Sequence, residues 1–187
     1  MQHKIVQPRR TTVGSSLKRP FPGGGWLLVG ASLCGGRSYA LLENFFRDTV
    51  KMVTGADISA YAAMEKALES AGNLPNIPTV TTLFQGTRSD PSRKAGITEL
   101  TADNFTPVHL ILGLMQGMAD ELYQLYRGYL AKGGTVPTAM IGSGNGLRRN
   151  RHLCRVFEDT FSCPLTLARH QEEAACGAAI YAADHCK

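Results

Sequence analysis

Apolar side chains recur at helical spacing in several long segments of the chain, and short β-branched runs lie between these segments. The longest stripe, which includes Met115 and Met118, follows Thr106-Pro107, a pair typical of a helix start, and ends at Gly133-Gly134. Further helices are predicted over 37–53, from Asp57 as N-cap to Gly72, over 150–160 and over 171–183. Strands are predicted over 26–31, 79–84, 138–141 and 165–168. Because strands and helices intermix throughout, the pattern predicts an α/β class.

Two segments show no such periodicity. Residues 1–25 contain several prolines and a run of three glycines, so an irregular N-terminal segment is predicted there. Residues 85–101 read as a long polar connection. Residues 26–187 are therefore predicted to form the folded domain.

Composition and charge limit the cellular location and the kind of binding partner that the sequence predicts. The net charge of +5 equals the number of basic residues in the first 19 positions, where no acidic residue lies. No aromatic side chain interrupts this basic segment, which favours a solvated tail and argues against nucleic-acid binding. No apolar run reaches the ~18–20 residues that a membrane span needs. The five cysteines form no CxxC pair, which favours reduced thiols and a cytoplasmic location.

Two glycine-rich loops carry the candidate chemistry, each between a predicted strand and a predicted helix. The first, GASLCGGRS, is not a P-loop, because Ala31 replaces the first glycine and Arg37 replaces the lysine. Backbone N–H groups at a helix start attract anions, and Gly35 and Gly36 would let a ligand approach the backbone. The second loop, Gly142 to Gly146, contains GxGxG and lacks the GxGxxG of dinucleotide sites. Each loop alone is equally compatible with a structural turn, but two such units favour a nucleotide.

Four motifs in order carry a family resemblance: GA-x3-GG, LFQGTR-x-DP, IGSGNGLRRN and EEAACGAAIYAA. Together they resemble the C-terminal half of the FGGY family of carbohydrate kinases, most closely the sedoheptulokinases, over about 25–183. The resemblance implies a ribonuclease H-like, actin-like fold, with a mixed sheet flanked by helices, and it implies ATP and Mg²⁺ as cofactors.

The resemblance also implies the nucleotide-binding positions. Gly36 matches the family glycine at the helix start near the nucleotide, and Gly35 precedes it. Gly144 matches the glycine of the loop around adenine and ribose. The neighbours of Gly144 in that loop are Gly142, Ser143 and Asn145. Two positions depart from glycerol kinases: Ala40 stands where they have a nucleotide-contacting Gln, and Arg148 where they have an Asn near the adenine.

In the family, the catalytic aspartate and most sugar-binding residues lie upstream of this region. The resemblance therefore assigns no catalytic residue and no metal ligand to this chain. It implies a lobe of a kinase that transfers the ATP γ-phosphate to a ketose hydroxyl, inactive without its N-terminal sugar-binding lobe. A homodimer through the exposed interlobe face is a further hypothesis. The alternative from another class is a non-catalytic actin-like module that binds a nucleotide or a protein.

Overall fold

Helices and strands alternate in the computed structural model, which describes residues 12–13, 16–21 and 25–185. The helices are α1 (Gly35–Thr54), α2 (Tyr61–Ser70), α3 (Pro107–Leu130), α4 (Asn145–Arg148), α5 (Arg151–Phe161) and α6 (Glu173–His185). The strands are β1 (Thr12–Val13), β2 (Ser16–Pro20), β3 (Trp26–Val29), β4 (Thr79–Thr81), β5 (Gly96–Thr98), β6 (Met140–Gly142) and β7 (Leu165–Leu167). This order confirms the predicted α/β class.

The described strands form three small sheets where one mixed sheet was predicted. Strands β1, β2 and β3 pair antiparallel in that order, β4 pairs antiparallel with β5, and β6 pairs parallel with β7. Only the last pair needs a crossover, which α4 and α5 supply.

The prediction of an irregular segment over 1–25 is wrong for residues 12–13 and 16–20, which form β1 and β2. The run SLKRP has no apolar alternation, and its extended form comes from pairing with β3. Strand β3 is also less buried than its apolar sequence predicts, since Trp26 is 56% exposed. The ammonium group of Lys18 lies over the Trp26 ring, 4.4 Å from its centroid, and so covers one face of that ring. Residues 1–11, 14–15 and 22–24 lie outside the described part.

The predicted start of α3 is confirmed in detail. Thr106 is the N-cap, its side chain accepts from the His109 backbone N–H, and Pro107 follows at the first helical position. The His109 ring lies 2.7 Å from Thr106 Oγ1 and 3.3 Å from the Pro75 carbonyl oxygen. This buried histidine therefore joins α3 to the preceding loop.

Two glycines of α3 let the backbone of β4 pack directly on the helix. A Cβ at Gly113 would lie 2.7 Å from the Pro78 carbonyl oxygen, and one at Gly117 only 2.1 Å from that of Val80. Neither position has room for a side chain.

The hydrophobic core lies where α2, α3 and α5 meet, and α1 packs along its edge. Its buried members are Ala60, Met64, Leu68, Ile111, Met115, Met118, Ala119, Leu153 and Val156. Tyr39, Leu42 and Phe46 of α1 pack against them. The methionines of α3 are core residues, as their spacing predicts.

The start of α2 differs from the prediction. Its N-cap is Ala60 instead of Asp57, and Asp57 pairs with Arg47 at the surface. The capping acceptor is Glu43 of α1, only 3% exposed, which accepts from the Ser59 hydroxyl (3.0 Å) and the Ala60 N–H (2.8 Å). A buried carboxylate from another helix thus replaces a local cap.

Two apolar surfaces stay uncovered within the described part of the chain. One is a groove of about 570 Å³ between α1, the β4–β5 hairpin and the start of α3. We call it the apolar groove; its lining includes Phe45, Phe84, Ile97, Phe105, Leu110 and Leu114. The other is α6, whose alanines Ala175, Ala178, Ala179 and Ala182 are exposed. None of the described helices is both long and apolar enough to cross a membrane.

Candidate functional site

The first glycine loop joins β3 to α1 and leaves the start of the helix open. Cys34 is the N-cap but gives no side-chain hydrogen bond. Instead Ser32 Oγ accepts from the backbone N–H groups of Gly35 (2.9 Å) and Cys34 (3.2 Å). Gly35 has a φ of +34°, and a Cβ at Gly35 or Gly36 would meet no atom within 4 Å. A ligand can therefore approach this backbone.

The first turn of α1 also holds a buried polar group without a partner. Ser38 is fully buried, and its Oγ makes no hydrogen bond. Such groups are rare in folded proteins and call for an explanation. Together with the open glycines, the orphaned hydroxyl fits an end of α1 that accepts a further group, and the positive end of a helix favours a phosphate.

The second glycine loop joins β6 to α4. Gly142 is buried, and a Cβ there would lie 2.8 Å from the Leu165 side chain, so this glycine permits close packing. Gly144 has φ +90° and ψ 158°, and the space beside it is empty. Ser143 and Asn145 flank it and are exposed. The exposed part of the loop is thus centred on Gly144.

An interaction between Tyr39 and Asn150 links α1 to the start of α5. Tyr39, one turn into α1, interacts with the Asn150 side chain, and Asn150 caps α5 by accepting from the Leu153 N–H at 2.8 Å. Burial raises the pKa of Tyr39 to about 12, and the Asn150 contact offsets part of that rise. This interaction therefore links the first turns of α1 and α5, and the second glycine loop precedes α4, the short helix directly before α5.

Arg148, at the position near the adenine in the resemblance, braces the second loop. Its Nη2 donates to the carbonyl oxygens of Ala168 (2.6 Å) and His170, and to Glu173 Oε1 (2.6 Å). The hydrogen bond from Arg148 is the main reason why the pKa of Glu173 lies below its ordinary value. Arg151 pairs with Glu69. Two of the arginines that follow the loop are thus engaged within the chain.

We expect Arg148→Met to lower the melting temperature by about 5 °C at neutral pH, because two carbonyl oxygens of the loop between β7 and α6 lose a charged donor. The pKa of Glu173 is lower in the folded state than its ordinary value of 4.5. The ion pair with Arg148 therefore stabilises the fold above pH 4.5, and this stabilisation is lost as the pH falls through the folded-state pKa. The difference in melting temperature between wild type and Arg148→Met should therefore become smaller below about pH 4.5. Thermal melts at several pH values would test this, with exposed Arg149→Met as the control. An equal gap at every pH would contradict the pairing.

Sequence reasoning missed Gln85, in the loop after β4. With its amide turned to satisfy both neighbours, Nε2 donates to the Leu33 carbonyl oxygen (2.8 Å) and Oε1 accepts from Arg37 Nη1 (2.9 Å). The LFQGTR motif thus lies against the first glycine loop. Its position within a shared motif was the only signal that could have indicated a role.

No residue set in the described part of the chain matches a metal centre. No three His, Cys, Asp or Glu side chains there lie close enough to hold an ion. These described residues do not by themselves fit Mg²⁺. Cys34, Cys154, Cys163 and Cys176 are free thiols.

Comparison with solved structures shows the fold. Xylulose kinase from Lactobacillus acidophilus matches with a TM-score of 0.69 and 18% identity, over 89% of this chain and 32% of that one. Gluconate kinase from the same organism gives 0.66 and 18%, over 84% and 30%. Plasmodium falciparum glycerol kinase with ADP gives 0.56 and 16%, over 74% and 27%. The chain therefore spans about a third of each kinase.

Comparison of the sequence with protein families gives the membership. No curated protein sequence matches the chain. The C-terminal domain of the FGGY family of carbohydrate kinases matches residues 6–185. Since this match covers almost the whole chain, the protein belongs to the FGGY family of carbohydrate kinases and comprises its C-terminal domain.

Proposed function

We propose that this chain is the nucleotide-binding lobe of an ATP-dependent sugar kinase. The observation that carries the proposal is the pair of open glycine loops, one at the start of α1 and one at the start of α4. The phosphate groups would lie at the start of α1, near Gly35 and Gly36. The nucleoside would lie on Ser143, Gly144 and Asn145, with Gly142 packed beneath them.

The complete protein would transfer the γ-phosphoryl group of ATP to a hydroxyl of a ketose, with a sedoheptulose-like sugar as the preferred candidate. The support for that sugar is the resemblance of the motifs to the sedoheptulokinases, since most sugar-binding residues of the family lie upstream of this chain. ATP supplies the phosphoryl group, and its phosphates together with residues outside this chain would hold Mg²⁺. A base that takes the hydroxyl proton would come from the N-terminal lobe, so the isolated chain would be inactive. We place the reaction in the cytoplasm, where the free thiols stay reduced.

Calorimetric titration with ATP and Mg²⁺ tests the nucleotide lobe. We expect saturable binding by the isolated chain, without phosphorylation of sedoheptulose, xylulose or gluconate in an assay for ADP. Absence of binding, under conditions where the chain melts cooperatively, would contradict the proposal. Phosphorylation of a sugar by the isolated chain would contradict its dependence on a second lobe.

The apolar groove favours a second candidate, a module that binds a protein. We further propose a homodimer through the face that would meet the N-terminal lobe, because exposed apolar patches mark interaction sites. Equilibrium sedimentation of the purified chain over a wide concentration range would reveal such a homodimer. A strictly monomeric chain would contradict it.

A further inference from the structure

Arg37 occupies an electrostatically unfavourable position. It is the third residue of α1, directly after Gly35 and Gly36, where the helix carries partial positive charge. No acidic residue lies in this first turn. A cation is favourable at the opposite end of a helix, so local stability does not account for Arg37. Residues that break a local rule in this way are concentrated at functional sites.

The described part of the chain does not neutralise this charge. Its ion pairs are Arg47–Asp57, Lys51–Asp57, Arg148–Glu173 and Arg151–Glu69, and Arg37 belongs to none of them. The partner of Arg37 is the neutral amide of Gln85, which accepts from Nη1 at 2.9 Å. A guanidinium has five N–H donors, so most of its donors stay available. Gln85 therefore orients the cation without cancelling its charge.

The surroundings of Arg37 leave room for an anion. The glycines before it leave open space beside the backbone, and Ser38 after it holds a fully buried hydroxyl without a partner. The other half of the Gln85 amide donates to the Leu33 carbonyl oxygen at 2.8 Å. One side chain thus fixes both the glycine loop and the arginine.

We propose that Arg37 contacts the phosphate groups of the nucleotide and that Gln85 is the positioning residue that holds it there. The inference rests on the proposed nucleotide site and adds to it a positively charged side chain that binds the phosphate groups. Arg37 forms charge-assisted hydrogen bonds to phosphate oxygens, which are stronger than bonds between neutral groups. Without Gln85, the arginine keeps its charge but loses its fixed direction.

The test compares the affinities for ATP with Mg²⁺ and for adenosine, which lacks phosphates. We expect Arg37→Met to weaken ATP binding about tenfold and to leave adenosine binding unchanged. Gln85→Leu should weaken ATP binding several-fold, again without an effect on adenosine. Lys66→Met removes an equal charge from the exposed face of α2 and should change neither affinity. The difference in ATP affinity between wild type and Arg37→Met should become smaller at high salt.

A melting curve of each variant without nucleotide separates this role from a structural one. Because Arg37 opposes the helix dipole, Arg37→Met should melt no lower than wild type. Equal losses for ATP and adenosine, or an ATP affinity equal to that of Lys66→Met, would overturn the inference and leave the nucleotide site intact. If the wild-type chain binds neither ligand, the nucleotide site and the inference both fail.

Discussion

Replacing Gly117 by alanine should lower the free energy of unfolding by about 3 kcal/mol, a large part of the stability of an ordinary domain. The added Cβ would lie 2.1 Å from the Val80 carbonyl oxygen, far inside van der Waals contact. The obstacle is backbone of β4, which cannot rotate away as a side chain can. Helix α3 would have to move off the strand and loosen the core around Met115. Chemical denaturation of the variant would measure the loss.

Gly128 is the matched control on the same helix. A Cβ there meets no atom within 4 Å, so alanine adds helix propensity without a clash. Gly128→Ala should raise the free energy of unfolding by about 0.5–1 kcal/mol. The two substitutions are chemically identical and should act with opposite sign. If Gly117→Ala were as stable as wild type, the direct packing of β4 on α3 would be wrong.

Gly144→Val should weaken the binding of ATP with Mg²⁺ at least about tenfold. At φ +90° and ψ 158° Gly144 lies in a region that essentially only glycine occupies. A β-branched residue forces this backbone to rotate, which moves Ser143 and Asn145 with it. The loop lies at the surface, so the melting temperature should fall much less than in Gly117→Ala. Calorimetric titration would measure the change in affinity.

Gly146 provides the control within the second glycine loop. It has open space around it and no positive φ, so alanine should fit without strain. Gly146→Ala should therefore bind ATP within about twofold of wild type. Wild-type affinity in Gly144→Val as well would remove the second loop from the nucleotide site and leave the start of α1 as the remaining candidate.

Local signals in the sequence predicted the features that depend on neighbouring residues. The start of α3 follows from the Thr106 hydroxyl and the missing N–H of Pro107, which act within one helical turn. The two glycine loops were recognisable for the same reason, because each lies directly between a strand and a helix. The resemblance to the family also came from such short motifs, taken in order along the chain, and the family match over residues 6–185 agrees with it.

The strands were harder to predict, because a strand is stabilised by its partner. Strand β2 has a polar sequence and is ordered by β3, and β5 lies inside the predicted polar connection and is ordered by β4. Neither sequence alternates between apolar and polar residues over enough positions to indicate a strand. Their backbone hydrogen bonds join residues that no local pattern connects.

The sequence by itself thus determined the α/β class, the main helices, the glycine loops and the family. The tertiary structure decided which distant polar groups meet. Glu43, and not the expected Asp57, caps α2 in the folded chain. Arg148 pairs with Glu173 and so holds the second glycine loop against α6. The tertiary structure also brought Gln85 against Arg37. The physical reason is that helix starts and turns depend on hydrogen bonds within a few residues. Side-chain partners are chosen by the packing of α1, α3 and α5 around a shared core.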